Sequence, residues 1–463
     1  MARRARPGRP GPVAARRPGV ELVTDEVTAP QFRHDRPGTP AADWSSTVGS
    51  LPTTALPQGR SRLVVVGAHP DDETLGAGGL VHTAASAGLR VEVVTATAGE
   101  GSHPSSPTHP PGRLAEVRRA ELRRATSLLA PGAEVACLDL PDGDVAAHEE
   151  ELVAVLVEMI GTDGADVVLC APWRRDGHPD HEAVGRAAAT AAHRTDAQLL
   201  EYPVWLWHWG RPDDLSGSDV VRLPLAPAAV AAKRAAVAAH ASQVRPLSSA
   251  PGDEVLLGPD LLAHFGREVE VFVTGGPGTE DDTLDRVHRE RPDPWDVGSF
   301  YERRKRALTL AALPREHYAS ALEVGCSVGE LAVDLATRCD RLLAVDSSPA
   351  AVDLARGRTA GIEGLEVRRA RVPDEWPEGR HDLVSVSEVG YFLSPHGLAE
   401  LVRLCRDSLT DDGHLLLCHW RHQPVGWPLA GPAVHDAFLA TGAPVLVEHH
   451  EPDFLLHVLG RPS

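Results

Sequence analysis

The chain of 463 residues is poor in several things that would each announce a class of protein. It has two lysines, Lys233 and Lys305, and its six cysteines form no C-x-x-C pair. That spacing excludes a disulfide framework and a cysteine-ligated zinc site, and it fits a reducing compartment, so a cytoplasmic location is expected. No apolar run approaches the ~18 residues of a membrane span, and no membrane partner is expected. Positive charge is scarce as well: 46 lysines and arginines face 65 aspartates and glutamates, for a formal charge of −19. A broad nucleic-acid footprint needs clustered positive charge, so a nucleic-acid partner is excluded. What is abundant is histidine, at 23 residues, and its placement carries the functional reading.

At ~150 residues per domain the length allows about three units. Residues 1–60 are rich in proline and arginine and show no apolar periodicity, so they read as a disordered tail. The Arg3-Arg4 and Arg16-Arg17 pairs lack the apolar stretch that an export signal requires. A basic interaction tail is the alternative. Structure is predicted to begin at Leu63-Val64-Val65-Val66, a buried strand by its β-branched run. Helices over 74–87, 113–129, 146–160 and 181–193 then alternate with strands over 91–97, 135–140 and 166–170, and 199–207 reads as extended. Strict alternation implies an open, mostly parallel α/β sheet. Gly275-Gly276-Pro277-Gly278 and Arg291-Pro292-Asp293-Pro294 mark a linker over 276–298. A second alternation follows, without sequence repeat. The expected architecture is two different Rossmann-like three-layer α/β domains, at 61–275 and 299–463, behind the tail.

His69-Pro70-Asp71-Asp72-Glu73 follows the first strand directly. In open α/β sheets chemistry sits at the carboxyl ends of strands, and a histidine with carboxylates there can hold a metal and a base. A zinc site needs a third protein ligand. Behind another buried strand stands Asp176-Gly177-His178-Pro179-Asp180-His181. Either segment alone reads equally as a polar turn; two of them behind parallel strands point to a site.

This pair of motifs resembles the PIG-L/LmbE-like zinc deacetylases over residues 62–273, including Thr95-Ala96-Thr97-Ala98-Gly99-Glu100. The resemblance implies that His69, Asp72 and His181 bind Zn2+ and that Asp71 is the general base. It also implies that His178 stabilises the oxyanion and that Asp180 tunes His178 by hydrogen bonding. A protonated His178 would suit a developing oxyanion. Arg113 and Asp142 fall where the family's sugar-binding residues lie, and read equally as a helix-surface charge and a turn former. Trp205, Trp207 and Trp209 alternate along the extended stretch, as core packing or as a sugar platform.

In the second half, Glu323-Val324-Gly325-Cys326-Ser327-Val328-Gly329 is a strand, a glycine turn and a helix start, and Asp346 ends the next strand. Glycines there let a ligand approach the backbone, and the acid can accept ribose hydroxyls. With Asp293-Pro294-Trp295, Tyr301-Glu302-Arg303-Arg304-Lys305 and Ser387-Glu388-Val389-Gly390-Tyr391-Phe392-Leu393, this resembles class I methyltransferases of the nodulation protein S type. The resemblance implies S-adenosylmethionine as cofactor, held by Glu323, Gly325, Cys326, Gly329, Asp346 and Ser347. Ser327 replaces a common glycine. Arg371 stands where an acid commonly meets adenine, with Asp374 as a substitute. Tyr391 and His419 read as acceptor-site residues or as packing and lid residues.

An amide nitrogen is a poor methyl acceptor because its lone pair is delocalised, whereas the amine freed by hydrolysis is a good one. The expected function is a bifunctional enzyme that deacetylates an amino sugar or glycoconjugate and then N-methylates the product. Two alternatives stand beside it: O-methylation in the same pathway, and a carboxyl-terminal half that binds S-adenosylmethionine only to regulate. The sequence does not specify an oligomeric state.

Overall fold

A computed structural model describes residues 37–215, 219–274 and 283–461. The basic segment 1–19 and the glycine run 275–278 lie outside them. The amino-terminal half forms a seven-stranded sheet of β1 (Arg62–Gly67), β2 (Arg90–Thr95), β3 (Glu134–Cys137), β4 (Val167–Pro172), β5 (Gln198–Tyr202), β6 (Val220–Pro224) and β7 (Val269–Thr274). Its order is β3-β2-β1-β4-β5-β7-β6; the first five strands are parallel and β7 is antiparallel to both its neighbours. The carboxyl-terminal sheet comprises β8 (Ala321–Val324), β9 (Leu342–Asp346), β10 (Leu365–Arg369), β11 (His381–Ser387), β12 (Leu409–Trp420), β13 (Val445–His450) and β14 (Phe454–Gly460). Its order, β10-β9-β8-β11-β12-β14-β13, is the same path. The halves share a topology that their sequences, without a repeat, do not display.

The β-branched run 63–66 is wholly buried because a parallel sheet is covered on both faces. Leu63 and Val65 join one core cluster and Val64 and Val66 the other, as the two-residue strand period requires. On these faces lie α1 (Ser45–Ser50), α2 (Asp72–Ser86), α3 (Pro111–Leu129), α4 (Glu149–Ile160) and α5 (Pro179–Thr195). Gly76 on α2 faces the Tyr202 ring so closely that a Cβ would stand 1.9 Å from it. This contact seats α2 against β5.

Three expectations need correction. Residues 37–60 are not a detached tail: Trp44, beside α1, is fully buried, edge-on to Trp207 at 5.0 Å, and Thr53 bridges to Arg222 of β6. A single large indole offset the polar composition. The expected linker over 276–298 holds a helix, Thr283–Glu290, whose Asp285 Oδ1 accepts from Ser348 Oγ at 2.7 Å and from the Ala350 N–H at 3.1 Å. Trp205 to Trp209 form a helical turn rather than a strand; Trp205 and Trp207 are core residues, and Trp209 Nε1 donates to the Asp176 carbonyl at 2.6 Å. Among the described residues all six cysteines are free, and no helix is long and apolar enough to cross a membrane.

Trp44→Ala is expected to lower the stability of the amino-terminal half by about 3–5 kcal/mol. The urea midpoint of that half would fall while that of the other half stays. An unmoved midpoint would return residues 37–60 to the status of a tail.

Two candidate active sites

In the first sheet the strand order reverses between β1 and β4, so the loops that leave their carboxyl ends part and open a crevice. Residues 69–71 leave β1 on one side, and residues 176–181 leave β4 on the other. One ligand atom each from His69, Asp72 and His181 converges to within 4.8 Å, all three residues being buried. Asp176, to which no role had been given, fixes the third ligand. Its Oδ2 lies 2.8 Å from His181 Nδ1, and its carboxylate accepts the N–H groups of Val204, Trp205 and Leu206 at 2.9–3.0 Å. That support turns His181 Nε2 inward, as buried carboxylates commonly do for metal-ligating histidines. Nε2 is buried 3.2 Å from Asp72 Oδ1 yet without hydrogen-bond geometry to it, so it has no hydrogen-bond partner. An ion would satisfy this orphaned nitrogen, and two imidazoles with a carboxylate are a donor set that suits zinc.

Asp71 caps α2 with a φ of 140°, a strained backbone for any residue but glycine. Its N–H is held by Glu73 Oε2 at 3.0 Å and its Oδ2 lies 3.3 Å from Arg118 Nη2. Burial pushes the Asp71 carboxyl up to about 6, against the Arg118 guanidinium and with the help of Asp72. Arg118 is itself buried and pinned by the carbonyls of Gly99 and Pro70, both at 2.8 Å. His240, also buried, lies 3.6 Å from Glu73. Arg118, Asp176 and His240 gave no periodic or motif signal beyond the D-G-H-P-D-H run.

The expected partnership of Asp180 with His178 is not the one formed. Positions two apart on a helix do not face each other. The Asp180 carboxylate meets His69 Nε2 at 3.1 Å and accepts the N–H groups of Gly143 and Val145. His178 Nδ1 instead accepts the Asp180 N–H at 3.2 Å, which leaves the proton of a neutral ring on Nε2. Burial, then His181 and His69, pushes His178 down to about 3, which opposes the protonated ring expected there. Asp142 stands with this histidine–carboxylate cluster, Oδ1 3.1 Å from His69 Nε2, and His69 holds its carboxyl down to about 2 against burial. Arg113 is exposed, its guanidinium on the Thr108 carbonyl at 3.2 Å.

In the second sheet the same reversal falls between β8 and β11. A cavity of about 900 Å³ opens there, lined by Glu323, Gly325, Cys326, Asp346 and Ser347, with Arg371 and Asp374 further along. Gly325 has a φ of 75°, and a Cβ on it would strike Val389 at 1.8 Å, so only glycine fits the turn. At the next turn Gly329, φ 81°, caps a short helix. Asp346 accepts the N–H groups of Ser327 and Ser348 at 2.8 and 2.9 Å, leaving lone pairs for a ligand. Glu323 Oε2 is buried without a hydrogen-bond partner, and burial with the nearby Asp346 pushes the carboxyl up to about 8. A cationic ligand group answers that orphan. These residues fit a nucleotide-like cofactor carrying an ammonium.

Beyond them lies a polar group of which sequence reading had singled out only Tyr391. Lys305 Nζ sits 2.6 Å from Glu388 Oε1 and 2.9 Å from Glu302 Oε1, and Tyr391 donates to Glu388 Oε2. Burial would raise Glu388, but Lys305 keeps it below the usual carboxylate range. Burial and Glu388 raise the Tyr391 phenol well above its ordinary value, so it is a donor and not a base. His419 is not a cavity residue. It is fully buried and bonded on both ring nitrogens, by the Gly390 N–H at 3.2 Å and by His435 at 3.1 Å, and burial pushes it down to about 4.

Comparison with known proteins agrees with the two-site reading. Residues 64–192 match the PIG-L family, described as GlcNAc-PI de-N-acetylase, and residues 278–423 match the NodS family, nodulation protein S. A nodulation protein S from Rhizobium tropici is 36% identical over 131 residues, 27% of this chain and 53% of the relative, so the chain spans about half the length of that protein. A 1D-myo-inositol 2-acetamido-2-deoxy-alpha-D-glucopyranoside deacetylase from Rhodococcus jostii is 29% identical over 276 residues, 48% of this chain and 94% of the relative. A solved structure, the N-methyltransferase NodS from Bradyrhizobium japonicum with S-adenosyl-l-homocysteine, is 24% identical, with a TM-score of 0.37 over 40% of this chain and 100% of its own. The chain therefore joins, in one polypeptide, a stretch at residues 64–192 that matches the PIG-L deacetylase family to a stretch at residues 278–423 that matches the NodS methyltransferase family.

Proposed function

We propose that the protein removes the acetyl group from an N-acetylated amino sugar or its glycoconjugate and then methylates the freed amine. The observation that carries this reading is the pairing of two complete crevices on one chain: a histidine–carboxylate cluster with an orphaned ligand nitrogen, and a cavity with an orphaned carboxylate. The sugar class follows the deacetylase relatives, whose name specifies a 2-acetamido-2-deoxyglucose unit.

In the first crevice His69, Asp72 and His181 would hold zinc. A zinc ion there supplies Lewis acidity to water and to the amide carbonyl. Asp71, with a carboxyl near 6, takes a proton from the attacking water and returns it to the leaving nitrogen, since a pKa close to the working pH serves both transfers. His178, neutral, offers Nε2–H to the oxygen that gains charge. Asp142 and Asp180 hold the His69 ring between them.

In the second cavity Glu323 receives the ammonium, and Asp346 the ribose hydroxyls, of S-adenosylmethionine. The cofactor supplies a methyl group on sulfur that a neutral amine accepts. Glu388 and Tyr391 orient the amine and Lys305 keeps Glu388 ionised. Little more than alignment is required of the protein for this transfer. The order of the steps comes from the substrate, because the acetamide has no available lone pair.

Four experiments test the reading. Mass spectrometry of N-acetyl amino sugars incubated with the protein, zinc and S-adenosylmethionine is expected to show loss of acetyl and then gain of methyl on the same molecule. Chelation of the metal should abolish the first step but leave methylation of a supplied free amine. Methylation of the intact acetamide, or of oxygen, would overturn the sequential reading. Asp71→Asn is expected to lower deacetylation by ~10²–10⁴ with zinc content, read by elemental analysis, unchanged. Gly99→Ala places a Cβ 2.0 Å from the Arg118 guanidinium, so it should slow deacetylation through displacement of Arg118 from Asp71. The double variant Gly99→Ala/Arg118→Ala is then expected to be no slower than Arg118→Ala alone.

A further inference from the structure

Helix α5 carries His178 and His181 at its start, and its other end meets the methyltransferase half. Thirteen residues separate His181 from Arg194, or about 20 Å along the axis. Arg194 is 4% exposed. Its guanidinium donates to the Gly426 carbonyl at 2.6 Å and to Thr283 Oγ1 at 3.0 Å, and lies 3.8 Å from the centre of the Trp427 ring. All three partners belong to the carboxyl-terminal half. A buried guanidinium is costly unless it is paired, so this residue is built for the docked state.

Trp427 lines the methyltransferase cavity. Its ring meets Phe392 at 5.0 Å, and Phe392 meets Tyr391 at 4.7 Å and Trp295 at 6.4 Å. The aromatic wall next to Glu388 therefore rests on an arginine from the deacetylase half. Around this wall Glu150, His193 and Asp196, all from the deacetylase half, also line the cavity. Glu150 pairs with Arg286, and Asp196 Oδ2 accepts the His396 N–H at 2.8 Å. Nine carboxylates and three lysine or arginine side chains line the cavity as a whole, a balance that favours a cation.

We infer that the deacetylase half forms part of the methyl-acceptor site. Arg194 is a positioning residue that braces Trp427, and Asp196 adds charge at the same wall. The acceptor is an amine, cationic in solution, on a ring whose apolar face meets the aromatic residues. The inference rests on the reading of this cavity as the methyltransferase site, and it makes the methyltransferase half incomplete when the deacetylase half is undocked.

The test uses the full chain and glucosamine as the supplied acceptor. Wild-type turnover checks the underlying reading first: if neither glucosamine nor the deacetylated product of the first step is methylated, that reading falls and this inference with it. Given turnover, Arg194→Ala is expected to raise the acceptor KM about tenfold, the equivalent of ~1.4 kcal/mol of binding, while kcat, S-adenosylhomocysteine affinity by calorimetry and deacetylation hold. Arg194→Lys, which keeps the charge but not the planar fork, should fall between the two. Asp196→Asn, which tolerates the left-handed backbone at that position, should raise KM without loss of stability and less so at high salt. Should Arg194→Ala fail to fold, Arg194→Lys and Asp196→Asn decide the matter. An unchanged acceptor KM in these variants, or an equal loss of cofactor affinity, would overturn the inference.

Discussion

Both sites depend on one topological constraint, the reversal of strand order at the centre of each sheet. Where β1 neighbours β4, and where β8 neighbours β11, the chain leaves adjacent parallel strands in opposite directions. The loops part, and backbone N–H groups and helix starts are left facing the gap. Neither crevice needs further excavation by side chains. In the first half the gap takes the starts of α2 and α5, hence the candidate ligands Asp72 and His181. In the second it takes a glycine turn, which leaves volume where the first half has a dense polar cluster.

The two crevices solve opposite electrostatic problems. The first concentrates Asp71, Asp72, Asp142, Asp176 and Asp180 around His69 and His181, an arrangement that is stable only if positive charge is close by. Arg118 answers part of it by lying against Asp71, and the two histidines are raised above their ordinary value by the carboxylates they meet. The second crevice spaces its charges. Glu323, buried near Asp346, takes up a proton readily, whereas Glu388 is kept ionised by Lys305. A dense cluster suits a small divalent ion; a spaced one suits an extended ligand with a charge at one end.

What could be read from the sequence was whatever repeats at short range. The β-branched run at 63–66, the H-P-D-D-E segment and the E-V-G-C-S-V-G turn each carry their meaning in adjacent residues, and the sheets, the crevices and the clustering of His69, Asp72 and His181 followed from them. What escaped was contact between distant segments. Trp44 looked like part of a polar tail because a single indole makes no period, yet it fills the space beside Trp207. The helix Thr283–Glu290 hid between glycine and proline signals because its stability comes from Asp285 on the start of the next half's helix. His419 looked like a loop histidine near the acceptor, and its burial arises from His435 and Gly390, which sequence spacing does not place beside it. Arg194 sat unnoticed at the end of a helix whose other end drew all the attention.

Charge also bears on the order of reaction. An acetamide is neutral and a freed amine is cationic, so on the proposed sequence a cavity with a carboxylate excess would take up the product of the first step in preference to its substrate. The same excess opposes the chemistry, because a carboxylate next to an ammonium stabilises the proton that must leave before nitrogen can accept a methyl group. The arrangement separates the two demands in space. Asp196, half-buried, lies on the wall that the deacetylase half contributes, whereas Lys305 already offsets Glu388 beside the rings of Tyr391 and Phe392. On the proposed reading, an amine that leaves Asp196 for Glu388 would meet a carboxylate already paired with Lys305 and would give up its proton more readily there. On this account the aromatic wall braced by Arg194 contributes desolvation as well as shape.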